Sequence, residues 1–156
     1  MFDNMTNTIK TYLQEHNLNC NVSISNDFEY DYYTDTIYYS LIVNDIMGKR
    51  FLDFAFDLGL KAKDCPIFIL SLFHEVGHFV TIDTLDEDKD NKAQELKEKM
   101  TDKDWYNYFN LYDEKIATQW AIDYINEHEQ DLRILATQLD IDMKTDIQDL
   151  YNYELK

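Results

Sequence analysis

The sequence predicts an α+β fold in which a small three-stranded antiparallel sheet packs against one apolar helix, with further helices around them. Alternating apolar and polar residues, typical of strands, are confined to the first 60 positions. From residue 64 onwards, apolar residues recur at helical spacing. The 156-residue chain has 3 glycines and 1 proline, too few turn residues for an all-β protein. Because 45% of its residues are hydrophobic, we expect one globular domain over residues 1–156.

The N-terminal part of the chain, residues 1–62, is predicted to contain a helix and the sheet. Apolar residues recur at helical spacing over residues 3–16, which predicts the first helix. Residues 20–25 then alternate between apolar and polar side chains, as in a strand with one buried face. Residues 26–35 are acidic and rich in tyrosine, and they fit either a loop or an irregular edge of the sheet.

Two further strands are predicted from the same alternation. Residues 36–43 and residues 51–58 each carry apolar side chains at every second position. The segment between them contains Gly48, a residue type that favours turns. Together with the first strand, these segments predict a three-stranded antiparallel meander.

A buried helix is predicted within residues 63–82. Its apolar residues extend the helix from Cys65 to about Ile82. The segment PIFILSLFHEVGHFVTI is apolar nearly all round, and a helix of this kind is expected in the core. Pro66 suits the start of a helix, and Asp64 is expected to cap its N-terminus.

The C-terminal part of the chain is predicted to be helical after an acidic loop. Residues 83–91 are mostly charged and lack apolar periodicity, which favours an exposed loop. Residues 92–156 are expected to be helical: a short polar helix over 92–100, a long helix over 103–128, and one or two segments over 132–139 and 145–153.

The chain is strongly acidic, with 31 aspartates and glutamates against 14 lysines and arginines and a formal net charge of −17. This balance disfavours nucleic acid and anionic membranes as ligands, because both require clustered basic residues. A protein partner is therefore expected to be basic. The sequence shows neither a signal peptide nor an uninterrupted run of 18 apolar residues, so we expect a cytoplasmic protein with reduced Cys20 and Cys65.

The segment His74-Glu75-Val76-Gly77-His78 places two histidines four positions apart within the predicted buried helix. Such positions share one face of an α-helix, so both imidazoles can bind the same zinc ion. Glu75 lies beside that face, where its carboxylate can accept a proton from a water molecule and return it to the leaving amine. The spacing predicts His74 and His78 as metal ligands and Glu75 as the catalytic acid/base.

A third protein ligand is expected from the next long helix, because catalytic zinc sites keep three protein ligands and one open position. Glu114 heads a stripe of small residues that it forms with Ala117 and Ala121, which would let two helices approach closely. His128 lies about 21 Å further along a continuous helix, too far to share the ion. Asp113 is the rival carboxylate, about 100° away from the alanine stripe.

Together, HEVGH at residues 74–78 and EKIATQWAIDYI at residues 114–125 resemble the ImmA/IrrE family of zinc metallopeptidases. The resemblance implies a gluzincin-like site and a zincin-like fold, with an antiparallel sheet packed on the active-site helix. It also implies the role of each site residue: Zn²⁺ bound by His74, His78 and Glu114, with Glu75 as acid/base. Members of this family cleave helix-turn-helix repressors of mobile elements or of stress responses. The resemblance therefore implies a basic DNA-binding regulator as the substrate.

Two features of the predicted site are left open by these motifs. Peptide hydrolysis needs a donor that stabilises the oxyanion, and Tyr106 and Asn110, which precede Glu114 by one or two helical turns, are candidates. Thr118 follows the motif alanine at a position where the family usually has asparagine, so the resemblance leaves the subfamily and its substrate open.

These observations predict a zinc endopeptidase that cleaves a regulatory protein. The alternative is an acidic binding protein that imitates DNA, such as an anti-repressor, with a structural zinc site. A structural site would usually be closed by four protein ligands and would have no use for Glu75. A zinc hydrolase acting on a non-peptide substrate is a third hypothesis.

Overall fold

The computed structural model describes residues 2–43 and 45–155, which form ten helices and strands and two single turns of 3₁₀ helix. In chain order the elements are α1 (Asp3–Glu15), β1 (Asn21–Ile24), β2 (Glu29–Asp31), β3 (Thr36–Tyr39), α2 (Ile46–Asp57), α3 (Ile67–Thr81), α4 (Glu87–Glu98), α5 (Trp105–Phe109), α6 (Tyr112–Glu127) and α7 (Glu129–Glu154). The 3₁₀ turns are Ile82–Thr84 and Asp102–Asp104. The predicted α+β class is confirmed, and most of the described residues are helical.

The sheet is mixed, with β3 at its centre. β1 runs parallel to β3, with Val22 opposite Ile37, and β2 runs antiparallel to β3, with Tyr30 opposite Ile37. The predicted antiparallel meander is therefore wrong. Its error arises within residues 26–35, where β2 reverses the chain once more, so that β3 follows the direction of β1. β3 also ends at Tyr39 and does not continue to residue 43.

The third predicted strand, residues 51–58, is wrong because this segment belongs almost entirely to helix α2. The carboxylate of Asp45 caps the helix by accepting a hydrogen bond of 2.8 Å from the backbone N–H of Gly48. The buried residues lie three and four positions apart: Phe51, Phe54 and Ala55. A short apolar run fits both the strand period and the helix period, and here the capping residue and tertiary packing decide for the helix.

Helix α3 is the buried helix that the apolar segment predicts. It contacts the sheet through Phe68, whose ring lies 5.9 Å from that of Tyr39, and Phe79, whose ring lies 6.1 Å from that of Tyr30. Residues 67–84 have the length and composition of a membrane span, a property that a core helix of a soluble protein shares. The sheet packs on α3 as expected, whereas the zincin-like arrangement stays a prediction.

The N-terminus of α3 differs from the prediction. The helix begins at Ile67, Pro66 occupies the N-cap position, and no side chain caps the helix. Asp64 lies too far upstream to cap it, and its carboxylate instead lies 3.2 Å from the guanidinium of Arg133 on α7.

Part of the predicted acidic loop, residues 83–91, is helical, because α4 begins at Glu87. Asp86 caps this helix by accepting a hydrogen bond of 2.9 Å from the backbone N–H of Lys89. The acidic residues of the first turn favour a helix N-terminus through its dipole, so a charged run here signals a helix start. The helix predicted over residues 92–100 is thus confirmed with an earlier start.

The C-terminal helices also differ from the prediction in their boundaries. The long helix predicted over residues 103–128 is interrupted at residues 110–111, between α5 and α6. The last predicted segments form one continuous helix, α7. Asp146 on α7 joins it to α1 by accepting hydrogen bonds from the backbone N–H groups of Asn4 and Met5, at 3.3 and 3.0 Å.

Candidate metal centre

Two adjacent helices bring three predicted ligands together. His74 and His78 lie one turn apart on α3, and their Nε2 atoms are 3.2 Å apart. Glu114 lies in the first turn of α6, with Oε1 3.7 Å from Nε2 of His74 and Oε2 2.6 Å from Nε2 of His78. The ligand atoms all lie within 4.8 Å of one another, so these three residues could hold a metal ion.

The close approach of α3 and α6 depends on Gly77. A Cβ atom built at Gly77 would collide with the backbone carbonyl oxygen of Ala117 and lie 3.1 Å from its Cα. Ala117 and Ala121 are fully buried, as expected for the stripe of small residues. The missing side chain of Gly77 therefore lets Glu114 reach the histidines from the neighbouring helix.

Thr118 determines which nitrogen of His74 faces the ligand cluster. Its hydroxyl donates a hydrogen bond of 2.9 Å to the backbone carbonyl of Glu114 and lies 3.0 Å from Nδ1 of His74. A hydroxyl carries one proton, so the second contact is accepted from Nδ1–H. In the neutral ring this leaves the lone pair on Nε2, the atom that faces His78 and Glu114.

The charges of the cluster are strongly coupled. Burial would raise the pKa of Glu114, which is 4% exposed, but the two histidines hold that pKa well below its usual range. Burial alone would lower the pKa of His78, yet the charge of Glu114 raises it. Glu114 is therefore an ionised carboxylate, the state in which it can bind a cation.

Asp113, the rival carboxylate, points elsewhere. Its Oδ2 lies 2.8 Å from Nζ of Lys97 and 2.9 Å from Nε2 of Gln94, both on α4. The cluster that could hold a metal ion consists of His74, His78 and Glu114. The structure thus favours Glu114 over Asp113, in agreement with the alanine stripe.

Glu75 lies where two cavities meet. The first, here called the apolar cavity, has a volume of about 270 Å³, and its lining includes Phe28, Ile42, Met47 and Phe51. The second, here called the acidic groove, has a volume of about 950 Å³ and includes the carboxylates of Glu29, Asp83, Glu87, Asp90 and Asp113. Glu75 and Glu114 line both cavities.

The environment of Glu75 suits proton transfer. Glu75 is 8% exposed. Burial raises the pKa of its carboxyl group above the ordinary value, and His74 and His78 oppose this shift. A raised pKa makes the carboxylate a better base, and its position at the junction of the cavities gives it access to a bound molecule.

Tyr108, which the motifs did not single out, is a candidate hydrogen-bond donor near the ligand cluster. It lines both cavities, and burial, followed by the charge of Glu114, raises its pKa. Its hydroxyl therefore stays protonated and can donate a hydrogen bond at neutral pH.

Tyr106 and Asn110 lie outside the two cavities that meet at Glu75, within the described part of the chain. Tyr106 is 59% exposed, and the side-chain amide of Asn110 donates to the backbone carbonyl of Tyr106. In a continuous helix both residues would lie on a face close to that of Glu114, and the break between α5 and α6 removes this alignment. The sequence contains no glycine or proline at residues 110–111 that would have predicted the break, so Tyr108 was not identified from the sequence.

Comparison with known proteins finds no matching family model, no similar curated protein and no similar solved structure. The resemblance of the two motifs to ImmA/IrrE peptidases therefore stays a prediction.

Proposed function

We propose that this protein is a zinc-dependent endopeptidase. The observation that carries the proposal is the convergence of His74, His78 and Glu114 beside the buried carboxylate of Glu75, at the junction of two cavities. Three ligands leave one coordination position for water or substrate, as in catalytic sites, whereas structural zinc sites are closed by four protein ligands.

The donor set and its spacing support zinc. Two histidine nitrogens and one carboxylate oxygen form one of the ligand sets of catalytic zinc in peptidases. Two ligands bound at about 2.05 Å in tetrahedral geometry lie about 3.3 Å apart. The separations of 3.2 Å between the histidines and 3.7 Å between His74 and Glu114 are close to this value. His78 and Glu114 lie closer, at 2.6 Å, because they form a direct ion pair that zinc binding would have to separate. When bound, zinc would supply a Lewis acid that polarises the peptide carbonyl and lowers the pKa of water.

Glu75 provides the acid/base chemistry of the proposed reaction. Its carboxylate accepts the proton of the attacking water molecule as the C–O bond forms at the peptide carbonyl carbon. It then donates this proton to the amide nitrogen, so that the C–N bond breaks and the amine leaves. Burial raises the pKa of Glu75, which favours both halves of this transfer.

Tyr108 is the proposed donor to the oxyanion. Its protonated hydroxyl borders both cavities beside Glu75 and Glu114, so it can donate a hydrogen bond to the carbonyl oxygen as negative charge develops there. This assignment replaces Tyr106 and Asn110 in the proposed mechanism.

An extended peptide is the proposed form of the substrate. β2 is an edge strand, and its residues Glu29 and Tyr30 line the acidic groove next to Glu75. A peptide can add to such an edge through backbone hydrogen bonds, which orients its carbonyl groups without reading their side chains.

A basic regulatory protein is the proposed partner, and the cytoplasm the proposed location. The net charge of −17 attracts a basic protein at long range. The resemblance of HEVGH and EKIATQWAIDYI to ImmA/IrrE peptidases supports a helix-turn-helix repressor among such proteins.

A comparison of the wild type with Glu75→Gln tests this function. Both proteins, each loaded with one zinc, are incubated with a cell lysate from the native host, and new protein N-termini are identified by mass spectrometry. We expect one or a few fragment pairs that form only with the wild type, because an amide cannot accept the proton. Equal patterns from both proteins would contradict the proposal and favour a structural metal site in a binding protein.

A further inference from the structure

The two cavities that meet at Glu75 differ in chemistry. Most of the exposed lining of the apolar cavity is apolar, and it includes Phe28, Ile42, Met47, Phe51 and Phe109. The carboxylates of Asp27 and Asp45 also line it. Ile42 is 72% exposed, so an apolar side chain stands open to the solvent at this cavity. The cavity volume of about 270 Å³ suits one large side chain.

The acidic groove is richer in carboxylates than the apolar cavity. Five carboxylates besides Glu75 and Glu114 line it: Glu29, Asp83, Glu87, Asp90 and Asp113. Among the described residues that line it, Lys97 is the one lysine or arginine, and its Nζ is paired with Asp113 at 2.8 Å. The net charge of the groove therefore attracts a cation.

A buried carboxylate oxygen is an independent sign that the groove favours a cation. Asp113 is 5% exposed and lines the groove, and its Oδ1 has no hydrogen-bond partner within residues 2–43 and 45–155. A buried acceptor without a donor is costly, and a cation held in the groove would offset the negative charge of this carboxylate.

Exposed tyrosines indicate which cation fits. Tyr32 and Tyr33 line the same groove, and Tyr33 is 94% exposed. A guanidinium can stack on such a ring while it donates two hydrogen bonds to a carboxylate, which an ammonium cannot do. The groove is thus better suited to arginine than to lysine.

Building on the proposed peptidase function, we propose that the site selects peptides with a large apolar side chain on one side of the cleaved bond and arginine on the other. The apolar side chain occupies the apolar cavity, and arginine occupies the acidic groove. Because both cavities share Glu75 and Tyr108, a peptide that fills both must pass the proposed reacting groups.

Binding to fluorescein-labelled decapeptides tests this inference. Zinc-loaded Glu75→Gln is titrated with two parent peptides, one with leucine followed by two arginines and one with the reverse order. Each parent is matched by a peptide with alanine for leucine and a peptide with glutamate for both arginines. We expect one parent to bind at least about tenfold more tightly than either of its matched peptides, as burial of a leucine side chain alone would give.

Variants of the protein assign the two preferences to the two cavities. Ile42→Ala should reduce the preference for leucine, whereas Ile134→Ala, an equally exposed isoleucine on α7, should not. The double change Asp83→Asn and Glu87→Gln should reduce the preference for arginine. Its control, Asp149→Asn with Glu154→Gln, removes the same charge from exposed positions on α7.

The outcomes separate this inference from the proposed function. Equal affinity for all peptides, no binding at millimolar peptide, or equal effects of the groove and control variants would overturn the inference. Cleavage by the wild type without regard to leucine or arginine would also overturn it, while the peptidase function would stand. Selective binding without cleavage by the wild type would support the two binding sites and contradict the peptidase function.

Discussion

The hydroxyl of Thr118 on α6 lies 3.0 Å from Nδ1 of His74 on α3 and donates to the backbone carbonyl of Glu114. Thr118, which is fully buried, therefore orients the candidate ligand His74 and also contacts Glu114, a second candidate ligand. Such contacts fix the ring and its tautomer before a metal ion binds.

Thr118→Val should lower zinc affinity about 10- to 100-fold, because the shape is kept but Nδ1–H of His74 loses its acceptor. Thr118→Ser is the matched control and should retain most of the affinity. Competition with a chromophoric chelator measures both constants. Wild-type affinity in the valine variant would show that the contact does not orient His74.

Gly77→Ala should destabilise the protein by about 1–3 kcal/mol, because the added Cβ collides with the carbonyl oxygen of Ala117. Urea denaturation measures the free energy of unfolding. Ala117→Gly should not rescue the variant, since the obstacle is backbone. Ser71→Ala on the same helix is a control and should change stability much less. Full rescue by Ala117→Gly would contradict the proposed backbone contact.

Glu114→Ala should lower zinc affinity by at least about 100-fold. This exceeds the loss typical of residues that only hydrogen-bond to a metal ligand. Asp113→Ala should keep zinc affinity close to that of the wild type, because Asp113 contacts Lys97 and Gln94. Metal analysis after dialysis against a weak chelator compares the two variants. The reverse pattern would move the third ligand to Asp113.

Tyr108→Phe should lower kcat about 100-fold or more, the effect of removing one oxyanion donor, without changing zinc affinity. Tyr106→Phe is the matched control, because Tyr106 is exposed and lies outside both cavities. Steady-state rates on a cleaved protein measure the effect. A loss confined to Tyr106→Phe would restore the donor expected from the sequence.

Asp146→Ala should lower the free energy of unfolding by about 1–3 kcal/mol, because its carboxylate accepts from two backbone N–H groups at the start of α1. Asp149→Ala on the same helix is exposed and should change stability by less than about 0.5 kcal/mol. Urea denaturation gives both values. Equal effects would mean that Asp146 does not hold α7 to α1.

The convergence of the candidate ligands could be predicted because their signal is local. His74, Glu75 and His78 lie within one helical turn, and the apolar sequence around them identifies that helix. Glu114 could be predicted from the small residues that follow it on α6. Gly77 on α3 completes the contact with Ala117 on α6. This role could not be predicted, because the spacing of residues along α3 does not define which helix packs against it.

The sheet and the cavities could not be predicted in the same way. Residues 51–58 fit both the strand period and the helix period, and the N-cap at Asp45 favours the helix. The three-residue strand β2 is too short for a periodic pattern to appear. Tyr108 lies just before the break between α5 and α6, and the apolar spacing of this segment predicts one continuous helix without a break.

Zinc titration of proteolysis tests the central claim most directly. Metal-free wild type and metal-free Glu75→Gln receive increasing zinc, and new N-termini formed in a host-cell lysate are counted at each step. Cleavage by the wild type should rise with added zinc and level off at one zinc per chain, while Glu75→Gln binds the same zinc without cleavage. Cleavage that does not depend on zinc, or that is equal in Glu75→Gln, would contradict a peptidase centred on His74, His78 and Glu114.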